Sequence, residues 1–514
     1  MPIKFAPLET HPDLIFGLVG PIGVDLIYIQ QSIVDALRSF DYSSHEIRVS
    51  SAMRDIEAPV KIVEDDVFES FNTKMDYANY LRSHYNSKDI LAALSIGAIR
   101  NRRRTIRQGE TAEGGEFRGL SFIVRQLKTP EEIQLLRSVY GRLFIQISIY
   151  GSPQRREDNL VAQIKINSRG TKDEVSSRSS AKSLIQRDTK EEDEFGQNLG
   201  NAFPLGDLFV DSSDRVSATA AISRFIGALF GNNEISPTRE EYGMYLAKSA
   251  SLRSCDLSRQ VGAAIFCDTG EVVSLGANEV PKAGGGTYWT GDEFDSRDIM
   301  QGHDPNEINK VEIFADVVDR LSKEKMLSND LLELNNTQAI VDKLFSEENN
   351  GRFRDSRIMD IIEFGRIIHA EMSAICDAAR NGISVRRSNM YVTTFPCHLC
   401  AKHIVASGVR RVVYLEPYPK SYARQLHSDS IQIEEKSDAN KVIFQPFMGI
   451  SPYRYRDLFE KGKRKDGSGQ AMKWKTEPRR PMVDNVVPSY LEAESYVVAK
   501  LTEILAEKAS GQTE

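Results

Sequence analysis

The chain has 514 residues, of which 40% are hydrophobic and 27% charged, and its net charge at pH 7 is −7. A chain of this length exceeds what one ordinary hydrophobic core supports, so we expect two domains. Neither a membrane-spanning run of about 20 apolar residues nor a secretory signal is visible. The acidic balance argues against a face that binds duplex nucleic acid. Five scattered cysteines argue against a disulfide framework and for a reducing cytoplasm.

The first organised stretch is a predicted strand (14–19), a glycine turn and a predicted helix (24–40). This order aims backbone N–H groups at a phosphate, which makes the turn a candidate nucleotide-binding loop. Its candidate residues are Gly20, Pro21, Gly23, Val24 and Asp25. The P-loop pattern G-x-x-x-x-G-K-[ST] is incomplete, because Asp25 replaces its second glycine and Leu26 its lysine. Since a carboxylate repels phosphate, a glycine turn without any ligand stays open as the alternative.

The following segments predict that the first domain is built on a parallel sheet. Strands at 47–50, 120–124 and 143–150 alternate with helical patterns, as in α/β folds. Residues 151–189 are polar and rich in Ser, Arg and Lys, and we interpret them as a mobile lid or loop. Five arginines between Arg100 and Arg107 indicate either a solvated surface or a contact with an anionic ligand.

The glycine and asparagines at 231–233 are the predicted domain boundary, which gives domains at 1–231 and 236–510. The second domain opens with a predicted hairpin, whose strands at 260–266 and 271–276 flank an Asp-Thr-Gly turn. A long insertion at 287–357 follows, and its role stays open. The remaining predicted elements are strands at 390–395, 412–415 and 442–445 and a C-terminal amphipathic helix at 488–508.

One histidine and two cysteines of the second domain have the spacing of a zinc site. His369 lies near the start of a predicted helix, and Cys397 and Cys400 lie one helical turn apart, so that both sulfurs face one side. Three protein ligands for Zn²⁺ leave a fourth position for water, as in a catalytic rather than a structural site. His398 and His403, beside the cysteines, stay open as alternative ligands.

Glu371 is the predicted catalytic residue, because it is not needed as a ligand and is free to move protons. The pattern H-x-E…P-C-x-x-C is the signature of zinc deaminases. A bound zinc would lower the pKa of water from about 15.7 toward about 7. Glu371 would take the proton from that water and pass it to the ring nitrogen and then to the leaving ammonia. The predicted reaction is hydrolytic deamination of an aminated heterocycle.

Residues 237–456 resemble the cytidine and deoxycytidylate deaminase superfamily, through these motifs and through DLSRQVGA at 256–263. The resemblance implies a three-layer α/β/α domain in which His369, Cys397 and Cys400 bind zinc and Glu371 is the proton shuttle. It also implies that Asn278 holds the sugar hydroxyl of a nucleotide substrate. Lys420 and Ser421 are candidate phosphate contacts, with a surface turn as the alternative.

The whole chain resembles the bacterial anti-phage dCTP deaminases, through 17–26, Gly196-Gln197 with Asp207, 416–429 and 444–450. This resemblance implies a degenerate P-loop NTPase/kinase-like domain that regulates the deaminase, with a regulatory nucleotide, a regulatory RNA or another inhibitor. It further implies a homo-oligomer that converts dCTP, and often dCMP, to the uracil nucleotide and so depletes dCTP during infection.

Three other functions stay open for the sequence. They are a housekeeping dCMP deaminase of pyrimidine biosynthesis, a polynucleotide cytidine or adenosine editor, and a nucleotide-sensing binding protein. An editor needs aromatic stacking platforms and a basic channel, whereas this chain is acidic and has two tryptophans. The preference between dCTP and dCMP is also open, because the number of phosphates is read by loop side chains.

Overall fold

The computed structural model of the chain describes residues 11–113, 119–168, 172–189, 195–346, 353–354, 356–418, 420–433, 440–462, 464–465, 467–471, 481–482 and 489–510. The chain divides into two compact units, Met1–Glu241 with Met448–Glu514, and Tyr242–Phe447. Among the described residues, no helix is both long enough and apolar enough to cross a membrane.

The strands, in chain order, are β1 (Leu14–Val19), β2 (Tyr42–Arg48), β3 (Gly119–Arg125), β4 (Phe144–Tyr150), β5 (Leu208–Asp211), β6 (Gly262–Phe266), β7 (Val272–Ala277), β8 (Asn389–Thr394), β9 (Arg411–Glu416), β10 (Ile431–Ile433), β11 (Val442–Pro446) and β12 (Gly449–Ile450). The helices are α1 (Leu26–Arg38), α2 (Val49–Ala52), α3 (Val67–His84), α4 (Ile90–Glu113), α5 (Pro130–Tyr140), α6 (Pro153–Asn167), α7 (Glu174–Thr189), α8 (Leu199–Ala202), α9 (Arg215–Leu229), α10 (Arg239–Ser251), α11 (Asp298–Gln301), α12 (Pro305–Lys323), α13 (Asn329–Leu332), α14 (Thr337–Phe345), α15 (Ala370–Arg380), α16 (His398–Ser407), α17 (Ala423–Leu426), α18 (Tyr455–Phe459) and α19 (Ser489–Ser510).

The first unit is built on a sheet in the order β12-β5-β4-β1-β3-β2. The pairs β1–β3, β1–β4, β2–β3 and β4–β5 are parallel, which confirms the predicted parallel sheet, and β12 joins β5 antiparallel. Every residue of β1 is buried, the pattern of a strand covered on both faces. Because β3 and β4 lie on opposite sides of β1, the strand order reverses there, which opens a crevice at the carboxyl ends.

The prediction of a lid or loop at 151–189 is wrong, because the described residues of this segment form α6 and α7. Ser152 accepts a hydrogen bond from the Arg155 N–H as the N-cap of α6, and Pro153 occupies its first turn. Buried side chains of both helices pack in a small core that includes Leu160, Ile164, Ala181 and Leu184. A few apolar residues at helical spacing are therefore enough to order an otherwise polar segment.

The C-terminal helix α19 packs within the first unit, whereas the sequence placed 236–510 in one domain. Tyr490 and Leu501 belong to the hydrophobic core that contains β1. The buried Arg103 guanidinium of α4 donates to both carboxylate oxygens of Glu494, at 2.6 and 2.7 Å, and also to Asp13. Arg103 is thus neither a surface residue nor a ligand contact, while its neighbour Arg104 is exposed.

The second unit has a mixed sheet in the order β10-β11-β9-β8-β6-β7. The antiparallel pairing of β6 with β7 confirms the predicted hairpin, and β11 confirms the predicted last strand. In the middle of this sheet, β8 pairs parallel with β9 and antiparallel with β6. The insertion at 287–357 contributes α11 to α14, and residues of α12 and α14, such as Phe314 and Val341, form a small core of their own.

Candidate metal and substrate site

Three side chains that could hold a metal ion meet at the starts of two helices in the second unit. His369 is the N-cap of α15, Cys397 is the N-cap of α16, and Cys400 lies in the first turn of α16. The Nδ1 atom of His369 lies 3.3 Å from Cys397 Sγ and 3.4 Å from Cys400 Sγ. Their three ligand atoms lie within 4.8 Å of one another, and one imidazole nitrogen with two thiol sulfurs suits Zn²⁺.

The two alternative ligands have other partners. His398 Nε2 lies 3.5 Å from Glu363 Oε1. His403 Nδ1 lies 2.7 Å from the Leu399 carbonyl oxygen, one turn earlier on α16. Since both are absent from the metal-ligand cluster found among the described residues, the structure favours His369, Cys397 and Cys400.

Helix α15 can carry His369 to the cysteines because it packs directly on β7. A Cβ at Gly276 would lie 2.1 Å from the Ala370 carbonyl oxygen, so no larger residue fits there without displacing the helix. The segment before His369 is held by a bridge in which the backbones of Glu279 and Ile368 exchange hydrogen bonds of 3.3 and 3.2 Å. The buried Glu279 carboxylate in turn accepts from the Cys255 N–H at 2.9 Å.

The cluster perturbs the protonation of its members. The hydrogen bond from Cys400, opposed by burial and supported by His369, lowers the pKa of Cys397 to about 4. Burial by itself lowers the pKa of His369, but its hydrogen bond to Cys397 and the Cys397 charge outweigh this effect and raise that pKa to about 9. Burial raises the pKa of Glu371 to about 7. At neutral pH these shifts leave a Cys397 thiolate beside a protonated His369 ring, and metal binding would release the imidazolium proton because the ligand form of histidine is neutral.

Glu371 and two of the candidate metal ligands, His369 and Cys397, open on a cavity of about 270 Å³. Glu371 is 4% exposed, and its position in the first turn of α15 places its carboxylate in the wall of the cavity. The aromatic ring of Phe395 is fixed by edge contacts with Tyr414 and Phe444. The lining residues are Asp256, Ser258, Arg259, Val261, Asn278, Ile362, His369, Glu371, Thr394, Phe395, Cys397 and Tyr418.

Asn278, the predicted sugar contact, lines this cavity but is also held by three hydrogen bonds within the protein. Its Oδ1 accepts from the Val261 N–H at 2.7 Å. Its Nδ2 donates to Asp256 Oδ2 and to the Arg259 carbonyl oxygen, both at 2.8 Å. Asn278 therefore has a structural role, because it links the segment 256–261 to the residue after β7. Its contact with a substrate sugar stays a prediction.

Lys420 and Ser421, the predicted phosphate contacts, do not line the cavity. The Lys420 ammonium pairs with Asp360, and the Ser421 hydroxyl donates to the Pro396 carbonyl oxygen at 2.8 Å. Their phosphate role stays a prediction. The cation that does line the cavity is Arg259, whose guanidinium lies 5.6 Å from the Tyr418 ring centroid. The motif at 256–263 contains Arg259, but sequence spacing could not show that it faces Tyr418.

The candidate nucleotide loop of the first unit lies beside a separate cavity of about 720 Å³. Gly23, Val24 and Asp25 line it, whereas Gly20 and Pro21 do not. Gly23 has a φ of +88°, and a Cβ on it would lie 2.6 Å from the Arg156 carbonyl oxygen, so glycine is required there. Asp25 caps α1 by accepting from the Tyr28 N–H at 3.2 Å.

Comparison with known proteins gives these residues a family context. Residues 237–416 match the family model of the cytidine and deoxycytidylate deaminase zinc-binding region. The matched range contains His369, Glu371, Cys397 and Cys400, so the whole zinc-site motif lies inside the matched region. The chain is 54% identical over 54 residues to the deoxycytidylate deaminase of Enterobacteria phage T4, covering 10% of this chain and 28% of that protein. It is 34% identical over 79 residues to ComE operon protein 2 of Bacillus subtilis, covering 15% and 42%.

The chain thus spans less than half the length of these curated relatives. Among solved structures, it is similar to the dCMP deaminase of cyanophage S-TIM5, which was crystallised with dCMP and dUMP. That similarity has 16% sequence identity and a TM-score of 0.23, and it covers 41% of this chain and 98% of the other.

Proposed function

We propose that the second unit is a zinc-dependent deaminase that hydrolyses deoxycytidine nucleotides to deoxyuridine nucleotides and ammonia. The observation that carries this proposal is the position of Glu371, buried in a small cavity beside a His–Cys–Cys cluster. A catalytic zinc site combines three protein ligands with an acid–base residue that is not a ligand, and the deaminase signature adds the same order of residues. The matched family region supports the reaction class.

The metal-ligand cluster, Glu371 and the apolar part of the cavity wall each have a role in this reaction. His369 Nδ1 and the sulfurs of Cys397 and Cys400 would hold the zinc, whose chemistry is to lower the pKa of water toward neutrality. Glu371 accepts a proton from the attacking water and transfers it to the ring nitrogen of the base. It then accepts the proton of the hydroxyl group added to the ring carbon and gives it to the leaving amine, so that the C–N bond breaks as the carbonyl forms. Ile362, Phe395 and Tyr418 form the apolar part of the wall, which favours a planar ring over bulk water.

We further propose that the substrates are dCTP and dCMP, and that the reaction depletes dCTP as a defence against phage in the cytoplasm. This part rests on the resemblance of the whole chain to anti-phage dCTP deaminases. In it, the first unit is a P-loop-like regulatory domain that responds to a nucleotide, an RNA or another inhibitor, and the chain acts as a homo-oligomer. The parallel sheet with a glycine turn after β1 supports such a domain. A housekeeping dCMP deaminase is the second candidate, favoured by the names of the relatives.

A product assay on the zinc-loaded full chain tests the proposal. Ammonia and uracil product would be measured with dCMP, dCTP, CMP, CTP and a single-stranded cytosine oligonucleotide. We expect turnover of the deoxynucleotides, and a loss of about 10²- to 10⁴-fold in kcat for Glu371→Gln. Glu312→Gln, an exposed change on α12, is the matched control and should leave kcat unchanged. Undiminished turnover in Glu371→Gln would refute the mechanism, and activity confined to the oligonucleotide would refute the substrate class.

A further inference from the structure

The cavity of the first unit has the size and place of a small-molecule site. Its volume of about 720 Å³ lies in the range of about 300–1,000 Å³ that is typical of such sites. It is lined by residues that follow β1, by the carboxyl-terminal residues of β2 and β3, and by helix α3. In open α/β sheets, ligands bind in the crevice outside the carboxyl ends of the strands.

The glycine turn itself is closed to a phosphate by a carboxylate of the chain. Asp188 is fully buried, and its Oδ2 accepts from the Ile22 N–H at 2.7 Å. Its Oδ1 accepts from Lys128 Nζ at 2.6 Å, and the same ammonium donates to the Gly20 carbonyl oxygen at 3.0 Å. The Asp188 carboxylate thus occupies the N–H of Ile22, inside the turn that would face a ligand phosphate, and pairs with the Lys128 ammonium.

In the described part of the chain, four other cations line the cavity. Arg82 is paired with Glu132, whereas Arg48, Lys74 and Arg125 are incompletely matched by carboxylates. Arg48 and Arg125 are register partners at the ends of β2 and β3, and they share Glu46. Arg48 Nε lies 2.9 Å from Glu46 Oε2, and Arg125 Nη1 lies 2.7 Å from Glu46 Oε1. One carboxylate therefore faces two guanidinium groups, which leaves a positive charge at this edge.

Lys74 of α3 adds a second positive charge. Its ammonium donates to the neutral Ser70 hydroxyl at 2.7 Å, and no carboxylate among the described residues forms an ion pair with it. Burial lowers the pKa of Lys74, and the charges of Arg54 and Arg48 act in the same direction against the opposing charge of Glu64. An anion bound next to this ammonium would offset both the burial and the repulsion.

Part of the remaining wall is apolar, with Val49, Met53, Phe71 and Met75 among the lining residues, and part is polar, with Ser50 and Gln126. We propose that this cavity binds a phosphate-bearing small molecule with an apolar ring system, such as a nucleotide, and that Arg48, Lys74 and Arg125 hold its phosphate. In this arrangement the glycine turn forms one wall but takes no part in phosphate binding. This inference deepens the regulatory role proposed for the first unit and rests on it, whereas it does not depend on the deaminase reaction.

Isothermal titration calorimetry of the full chain tests this proposal with inorganic pyrophosphate, ADP, GDP and adenosine. We expect saturable binding of a nucleoside diphosphate, weaker binding of pyrophosphate, and none of adenosine, which lacks the phosphate. Each ionic hydrogen bond lost should weaken binding about tenfold or more, so Lys74→Met and Arg125→Gln should each raise the Kd by this factor. Lys165→Met, a surface change on α6, is the matched control and should leave the Kd unchanged.

Unchanged nucleotide binding in Lys74→Met and Arg125→Gln, or no binding of any probe, would overturn the proposal. Pyrophosphate binding as tight as that of the nucleotides would overturn the ring-system part and select a free anion. Arg48→Gln, at a side chain that is 60% exposed, keeps the test available if a more buried variant does not fold. Because the readout is binding, a chain without deaminase activity gives the same answer.

Discussion

Replacement of Asn278 by alanine is the substitution for which the structure makes the sharpest quantitative prediction. The change removes two neutral hydrogen bonds, with the Val261 N–H and the Arg259 carbonyl, and one bond to the Asp256 carboxylate. Neutral hydrogen bonds contribute about 0.5–1.5 kcal/mol each and those to charged groups about 1.5–3 kcal/mol. Asp256 is half-buried, so the lower part of the combined range applies, and we expect a loss of about 3 kcal/mol.

Asn278→Ala should lower the stability of the segment 256–261 as well as the free energy of unfolding of the whole protein. The Val261 N–H loses its acceptor in Asn278→Ala, so hydrogen–deuterium exchange in a peptide covering 256–261 should accelerate. Urea denaturation followed by circular dichroism gives the free energy of unfolding. Asn381→Ala, at an exposed residue that ends α15 in the same unit, is the matched control and should change stability by less than about 0.5 kcal/mol. If Asn278→Ala keeps the wild-type stability and exchange and loses only affinity for substrate, Asn278 is a substrate contact without a structural role.

Two further predictions concern the metal ligands and the C-terminal helix. Cys397→Ser should lose most of the bound zinc measured by inductively coupled plasma mass spectrometry, while Cys376→Ser, at an exposed thiol, should retain it; equal zinc in both variants would contradict the ligand assignment. Arg103→Met leaves the buried Glu494 carboxylate unpaired and should cost about 3–5 kcal/mol of unfolding free energy and speed proteolysis of α19. Arg104→Met, on the exposed face of α4, should behave like the wild type, and an equally stable Arg103→Met would contradict the predicted role of this pair.

The metal cluster shows which features of the site can be predicted from the spacing of residues in the sequence and which cannot. Cys397 and Cys400 share a helix turn, so their common face follows from sequence separation alone. The approach of His369 to them depends on how α15 packs on β7, where Gly276 admits the helix backbone. The H-x-E and P-C-x-x-C motifs identify the ligand types. Only the tertiary structure shows that His398 lies next to Glu363 and is not part of the cluster.

The segment at 151–189 shows where composition misleads. Its Ser, Arg and Lys content predicts a loop, yet α6 and α7 are ordered by a few buried residues that pack with Ile22 and Met75. Those partners lie more than 70 residues away in the sequence, so no local pattern could reveal them.

The sequence by itself determined the residue types of the metal-ligand cluster in the second unit and the alternation of strands and helices in both units. These features depend on residue types and short spacings, which the periods of helices and strands translate directly into shared faces. Only the tertiary structure decided which group, far away in the sequence, is the partner of each buried charge. Asp188 lies 166 residues from Ile22 in the sequence, and Glu494 lies 391 residues from Arg103. Each such pair forms because distant elements bury a common core, and the buried charge must then find its partner there.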